Sequence, residues 1–404
     1  MKYTRSTLLV LFFLIVALIT VVFSVPFSFS HSVGYWEIYL RITSFLIEGG
    51  TFGPDLYIAP GFPLLLASFA FFTDLNIISA RVIQLALFLI LIGGVYLIGR
   101  DIFRSEHTGR IAALLMLLPA VTLQLFALDS MLFYTTLITW SILCIWYASL
   151  RTSGVYPLVA GTALGFAALT DPIGVYVIPI ILIWFIFLIR RRLFTVRSMV
   201  ALLIFITSIL TLMVPWYVRN IAVHEGLEVS APFVQKRVET SVLFDSDTRS
   251  LLIRPFIQTP SLVFETALSM LFSPPDVDAL AQYTPVSYRQ AVLSFVRTKI
   301  LSDEVDVATL FLKASIFFAH GVVVLFAVVG VWLMRHHFLS ALFFTLLAYI
   351  LFAVIGYGAP SQFKDISPIQ EFVYPLYPFI YLYAAHAVFK IVTALSEKKR
   401  KHIA

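Results

Sequence analysis

Charge is scarce in this sequence. Asp, Glu, Lys and Arg make up 12% of its 404 residues, about half the share of a water-soluble domain. That excludes a surface turned wholly to water. Cysteine is scarcer: Cys144 stands alone, so no internal disulfide can form, and thiols say nothing of the redox compartment. The signatures of soluble enzymes are missing too. The chain has no phosphate-cradling glycine loop, no dinucleotide fingerprint, no Cys/His metal cluster and no nucleophile elbow. His336-His337 sits beside Arg335 without the further ligands that a zinc site needs. No repeat or low-complexity segment is visible, so the two related halves common in transporters are absent. No basic stripe alternates with exposed aromatics, which leaves nucleic acid out as a partner.

What the chain has is apolar length. Apolar residues make up 60% and gather in runs of about 20, enough to cross about 30 Å of hydrocarbon. The expected fold is an all-α polytopic membrane protein of about ten transmembrane helices. The runs fall near 8–25, 82–98, 111–127, 131–149, 155–170, 174–189, 198–216, 314–334, 338–357 and 371–391. The first follows Lys2 and Arg5, exceeds a signal-peptide core and lacks a cleavage site, so it reads as an uncleaved span.

Basic clusters set the direction. Lys2/Arg5, Arg100/Arg104/Arg110, Arg151, Arg190–Arg197, Arg335 and Lys398–Lys401 share one side if 60–75 does not span. The positive-inside rule makes that side, and both termini, cytoplasmic. The protein is then a multi-pass integral membrane protein. In a prokaryote its place is the plasma (inner) membrane, and in a eukaryote the endoplasmic reticulum. The net charge of +6 is mostly this topology signal. Three regions result: an N-terminal transmembrane module over 1–218 with a first outer loop at 26–81, an extracytoplasmic cap loop over 219–313, and C-terminal helices with a basic tail over 314–404. Loops this long are usually functional or disordered.

The first outer loop carries the densest pattern. From Gly34 to Glu48 it reads as an interfacial helix. Tyr35, Trp36, Ile38, Tyr39, Ile42, Phe45 and Leu46 form a broad apolar face. Glu37, Arg41, Ser44 and Glu48 form a polar stripe. That stripe is either an anchor's solvated face or a site in which Glu37 is a general base at the membrane surface. Asp55 and the rigid turn Ala59-Pro60-Gly61-Phe62-Pro63 follow, leading into a short helix. Asp129 stands at the outer end of a span, as helix cap or as site. Asp171-Pro172 suits a turn between two spans. Arg219 ends a Pro215-Trp216-Tyr217-Val218-Arg219-Asn220 stretch, where a guanidinium can hold lipid phosphate or serve as an anchor. Lys364 and Asp365 lie in the last outer loop, before Glu371 at a span mouth.

Several of these segments, in this order, resemble the GT-C glycosyltransferases that use polyprenyl-phosphate sugars, among them the protein O-mannosyltransferases and the lipid A aminoarabinose transferases. The uncleaved span, the first-loop helix ending in Gly49-Gly50 and Pro60-Gly61-Phe62-Pro63-Leu64-Leu65 look like the family's first third. Leu169-Thr170-Asp171-Pro172 is similar to its Leu-Thr-Arg-Pro-like stretch, and Pro215-Trp216-Tyr217-Val218-Arg219-Asn220 to its Pro-Trp-x-x-Arg-Asn stretch. Tyr374-Pro375-Leu376-Tyr377-Pro378 resembles its entry into a late span.

The resemblance implies transfer of a sugar from a polyprenyl- or dolichyl-phosphate carrier to a lipid, glycan or protein acceptor, with inversion, at the extracytoplasmic face. It implies an acidic first-loop base and basic residues on the leaving phosphate. Glu37, Asp55 and Asp129 are the candidates for catalytic roles, and Arg41, Arg219 and Lys364 for phosphate partners. No cofactor is expected and no metal site can be read, which leaves metal dependence open; the bilayer and the lipid-linked sugar are the partners. One departure stands out. If Tyr39 is the family's first-loop tyrosine, Tyr35 occupies the usual acidic position, and Glu37 is the nearest carboxylate. That leaves a non-catalytic scaffold or pseudoenzyme as a rival, beside a transporter and a glycan polymerase or ligase.

Overall fold

The computed structural model describes residues 33–49, 59–70, 72, 77–118, 130–151, 153–171, 173–190, 195–224, 321–335, 342 and 376–403. Regular structure among them is helical throughout. In chain order the helices are α1 (Val33–Gly49), α2 (Gly61–Ala70), α3 (Ile77–Asp101), α4 (Glu106–Leu115), α5 (Met131–Leu150), α6 (Val155–Thr170), α7 (Ile173–Ile189) and α8 (Val196–His224). They are followed by α9 (Gly321–Leu333) and α10 (Tyr377–Ile403). Four carry stretches long and apolar enough to cross a membrane: Ile78–Asp101, Met131–Leu150, Val196–Arg219 and Tyr377–Glu397. The expected spans at 8–25 and 338–357 lie outside the described residues, apart from the buried Leu342.

Local chemistry sets most ends. Gly154 starts α6, and Asp171, extended at φ −140°, closes it by donating its N–H to Ala167 O at 3.0 Å. The proline at 172 fits that extended conformation, because a residue before proline avoids the helical region. The expected span at 111–127 differs. Helix α4 begins earlier, at Glu106, with Ser105 as N-cap accepting from Thr108 N at 3.2 Å. It ends at Leu115, where Leu117 N and Leu118 N bond back only three residues, at 3.1 and 3.0 Å. Pro119 comes next, and a helix tightens or stops before proline. Helix α8 runs on past the expected 216 to His224, through Pro215. Helix α10 starts at 377 rather than 371 and continues through the basic tail to Ile403.

Helix α5 is the hub. It packs on α3, α6 and α7, and α6 packs in turn on α8. Its Ile138, Ile142 and Ile145 are fully or almost fully buried, as are Phe88, Leu91, Val95 and Ile98 along α3. Between apolar helices in lipid, packing and interhelical hydrogen bonds replace the hydrophobic drive, each bond contributing about 0.6–2 kcal/mol. Among those present, Trp140 Nε1 donates to Ile90 O and Ser141 Oγ to Ala160 O, both at 3.0 Å. Small residues permit the close approaches. A Cβ on Gly161 would lie 2.8 Å from Ser208 Cβ and closer still to Phe205 O. With Gly165 against Leu212 and Ile209, this is a small-xxx-small seam.

These contacts fix the register. Ser141 faces Ala160 in an antiparallel pair, so Ser130 and Asp171, each 11 residues further on, stand at the same level. Gly161 meets 205–208 and Gly165 meets 209–212, so α6 and α8 run parallel. Arg219 therefore emerges at the same end as Asp171.

Candidate active site

At this end, α1 and α2 fold over the bundle. Among the described side chains of α1, Tyr39, Ile42 and Thr43 are buried, spaced as one helical face. The expected apolar face was broader: Phe45 is 41% exposed, because six residues carry it about 120° away from Tyr39. Thr43 Oγ1 returns a hydrogen bond to Tyr39 O at 2.7 Å, satisfying a buried hydroxyl within the helix. The Tyr39 ring meets Phe62 edge-on, 5.0 Å between centroids at 79°. Its hydroxyl donates to Ser130 Oγ at 3.2 Å, across 91 residues of chain.

The turn before α2 completes the arrangement. Phe62 also lies against Phe133, 6.3 Å away. Gly61 is pressed onto the last turn of α6, where an added Cβ would come within 2.8 Å of Thr170 N. Only glycine fits that approach. The Pro60-Gly61-Phe62-Pro63 turn is thus the clasp between α1 and the end of α6. Beside it Asp171 is buried, 7% exposed, and its carbonyl accepts from Gly174 N at 2.9 Å. An acidic residue buried at a span end is costly without compensating contacts.

Glu37 and Arg41 lie on α1, two residues either side of Tyr39; their side chains are outside the described residues. Ser44 and Glu48, the described members of the same stripe, are exposed. Asp55, Asp129 and Lys364 lie outside the described residues. The N-cap position of α5 is Ser130, whose hydroxyl makes no cap bond and instead accepts from Tyr39. Arg219, half-buried, holds its guanidinium over the Trp216 ring at 5.2 Å, a cation–π contact that fixes its direction. No group of three metal-ligating side chains occurs among the described residues.

Sequence reasoning passed over three residues of this end. Tyr39 reads as apolar face and as a candidate for the family's first-loop tyrosine, Asp171 as a turn within a family-like stretch, and Ser130 carries no signal; none of the three is given a site role. The available signal for Asp171 was an ionisable residue closing an apolar run. Nothing local signals the Tyr39–Ser130 contact.

The fold is shared with solved oligosaccharyltransferase structures. The Archaeoglobus fulgidus oligosaccharyltransferase in its apo form aligns at TM-score 0.51 and 14% identity, over 91% of this chain and 47% of that one. AglB of the same organism, in complex with an inhibitory peptide and a dolichol-phosphate, aligns at 0.50 and 13%, over 90% and 47%. ArnT from Cupriavidus metallidurans, bound to undecaprenyl phosphate, aligns at 0.47 and 14%, over 95% and 78%. The chain thus spans about half the length of the oligosaccharyltransferases, 47% in both cases. No family model matches the sequence, and no curated protein sequence does.

Proposed function

We propose that this protein is a membrane glycosyltransferase that moves a sugar from a polyprenyl- or dolichyl-phosphate carrier to a lipid, glycan or protein acceptor at the extracytoplasmic face. One observation carries the reading: the helix bearing Glu37 and Arg41 is clasped, through Tyr39, Phe62 and Gly61, to Ser130 and the last turn of α6, at the bundle end that also carries Asp171 and Arg219. The fold it shares with AglB, solved with a dolichol-phosphate, supports a lipid phosphate as partner.

In this reading Glu37 takes the proton of the acceptor hydroxyl. The freed oxygen attacks the anomeric carbon, the bond to the phosphate oxygen breaks, and the lipid phosphate leaves with the electron pair and the configuration inverted. Asp55 and Asp129 are the alternative bases, and Asp129 is otherwise a sugar contact. Arg41, Arg219 and Lys364 offset the charge gathering on the phosphate, the usual route to stabilising such a transition state. A monophosphate leaving group held by such cations needs no metal.

The test is transfer of radiolabelled sugar from a panel of polyprenyl-phosphate sugars by purified protein and its Glu37→Gln variant. Loss of a general base lowers turnover by about 10²–10⁴-fold. Equal turnover by the folded variant moves the base to Asp55 or Asp129. A folded wild type that uses none of the donors favours the non-catalytic scaffold.

A further inference from the structure

The opposite end of α5 holds a second concave site. A cavity of about 520 Å³ is lined by Arg100, Asp101, Arg104, Glu106, Trp146, Tyr147, Leu150 and Arg151. Cavities that seat small ligands run to about 300–1,000 Å³. It lies one full length of α5, 20 residues, from Ser130, which is about 30 Å of helix and the thickness of a bilayer core. The site is therefore separate from the clasped end.

The charges in it are not balanced. Asp101 is taken by Arg100, through bonds of 2.5 and 2.8 Å, and by the Tyr147 hydroxyl. Glu106 is taken by Arg110 at 2.7 Å, one helical turn on. Arg104 and Arg151 form no ion pair within 4 Å among the described residues, and Arg151 acts on the Asp101 carboxylate only from further off. Arg151 is held out by aromatic neighbours: it donates to the Tyr156 hydroxyl and sits 5.1 and 5.4 Å over the Tyr147 and Tyr156 rings. Arg104 stands where the chain turns from α3 to α4, at φ 54°, the one non-glycine residue in the left-handed region among those described. Such a conformation costs of order 1–3 kcal/mol and gathers at ligand clamps. The α4 N-terminus, which opens beside it at Ser105 and Glu106, adds positive partial charge. On the lipid side the rim is apolar: Leu150 is 59% exposed.

We infer that this cavity binds the phosphate of an anionic phospholipid headgroup, with Arg104 and Arg151 as the phosphate ligands and Leu150 and Trp146 beside the glycerol. Guanidinium is the side chain suited to phosphate. Basic pockets between spans on the positively charged side are where anionic headgroups collect. This goes beyond sugar transfer and does not depend on it.

Native mass spectrometry of the purified full chain, titrated with phosphatidylglycerol or phosphatidylcholine, tests it. The wild type should retain phosphatidylglycerol over phosphatidylcholine by tenfold or more. Arg104→Asn should lower phosphatidylglycerol affinity about threefold without changing lipid-free melting, since asparagine tolerates the left-handed backbone. Arg104→Asn with Arg151→Gln should abolish the preference. Arg197→Gln, removing an exposed charge outside the cavity, should leave it intact. Equal retention in all four proteins overturns the inference. Displacement of the lipid by millimolar glycerol phosphate or inorganic phosphate overturns it in favour of a soluble anion.

Discussion

At its first turn α5 meets the Tyr39 hydroxyl and the Phe62 ring, while Gly61 presses on the neighbouring end of α6 and Asp171 is buried at the same level. At its last turn α5 meets arginines, two carboxylates and an open cavity, delivered by residues within or next to the ends of α3, α4 and α5. Among the described residues, the first end is held by close apolar contacts and the second is open and cationic. Closure calls for shape, so its determinants are contacts such as Gly61 on Thr170. Charge calls only for proximity, so its determinants are written as short basic clusters. A chemical step that must exclude water suits the first end, and recognition of an anion suits the second.

The comparison can be broken at several strengths. The largest effect belongs to a substitution that both ends feel. Gly161→Leu drives a side chain into Phe205 and Ser208 and separates α6 from α8. Overpacking of this kind costs about 1–3 kcal/mol or more, so monodisperse protein should be lost in size-exclusion chromatography. Next, Gly61→Val disturbs only the clasped end. Sugar transfer should fall by tenfold or more while phosphatidylglycerol retention is unchanged; loss of both would mean the two ends are one unit.

Smaller still is Tyr39→Phe, which removes one neutral hydrogen bond to Ser130. About 0.5–1.5 kcal/mol is at stake, read as a fall in melting temperature or turnover. Ser130→Ala should match it, and the double variant should add little, since the pair is one interaction. The smallest is Trp216→Leu, which frees Arg219 from its aromatic platform. A cation–π contact is worth about 0.5–2 kcal/mol, so the Michaelis constant for a lipid-phosphate donor should rise severalfold with little change in maximal rate.

Helix α6 was legible because Gly154 and Asp171-Pro172 bracket an unbroken apolar run, and the observed bounds, Val155–Thr170, are the expected ones. The first-loop helix was legible from its periodicity. The start of the helix near 111 was less legible: it opens at Glu106, behind the Ser105 cap, and residues 119–127 of the expected span lie outside the described residues. The common side for Arg100, Arg104 and Arg151 followed from the charge rule, and one cavity now collects all three. Two contacts were out of reach. The Tyr39–Ser130 and Asp101–Tyr147 pairs span 91 and 46 residues, and no local pattern encodes who meets whom at that distance. The fold shared with the oligosaccharyltransferases was readable from the order of short motifs rather than from any one of them.

The Tyr39–Ser130 contact also sets a clock. The two residues are 91 positions apart, so at about 5–20 residues per second of synthesis, α1 waits roughly 5–18 seconds for its partner in α5. Gly61 waits longer for Thr170, at the end of the next helix. Throughout that interval Tyr39, Ile42 and Thr43 have no bundle to pack on. The first loop is made early and set late, and a chain halted before residue 130 carries the Glu37 helix without the framework that holds it.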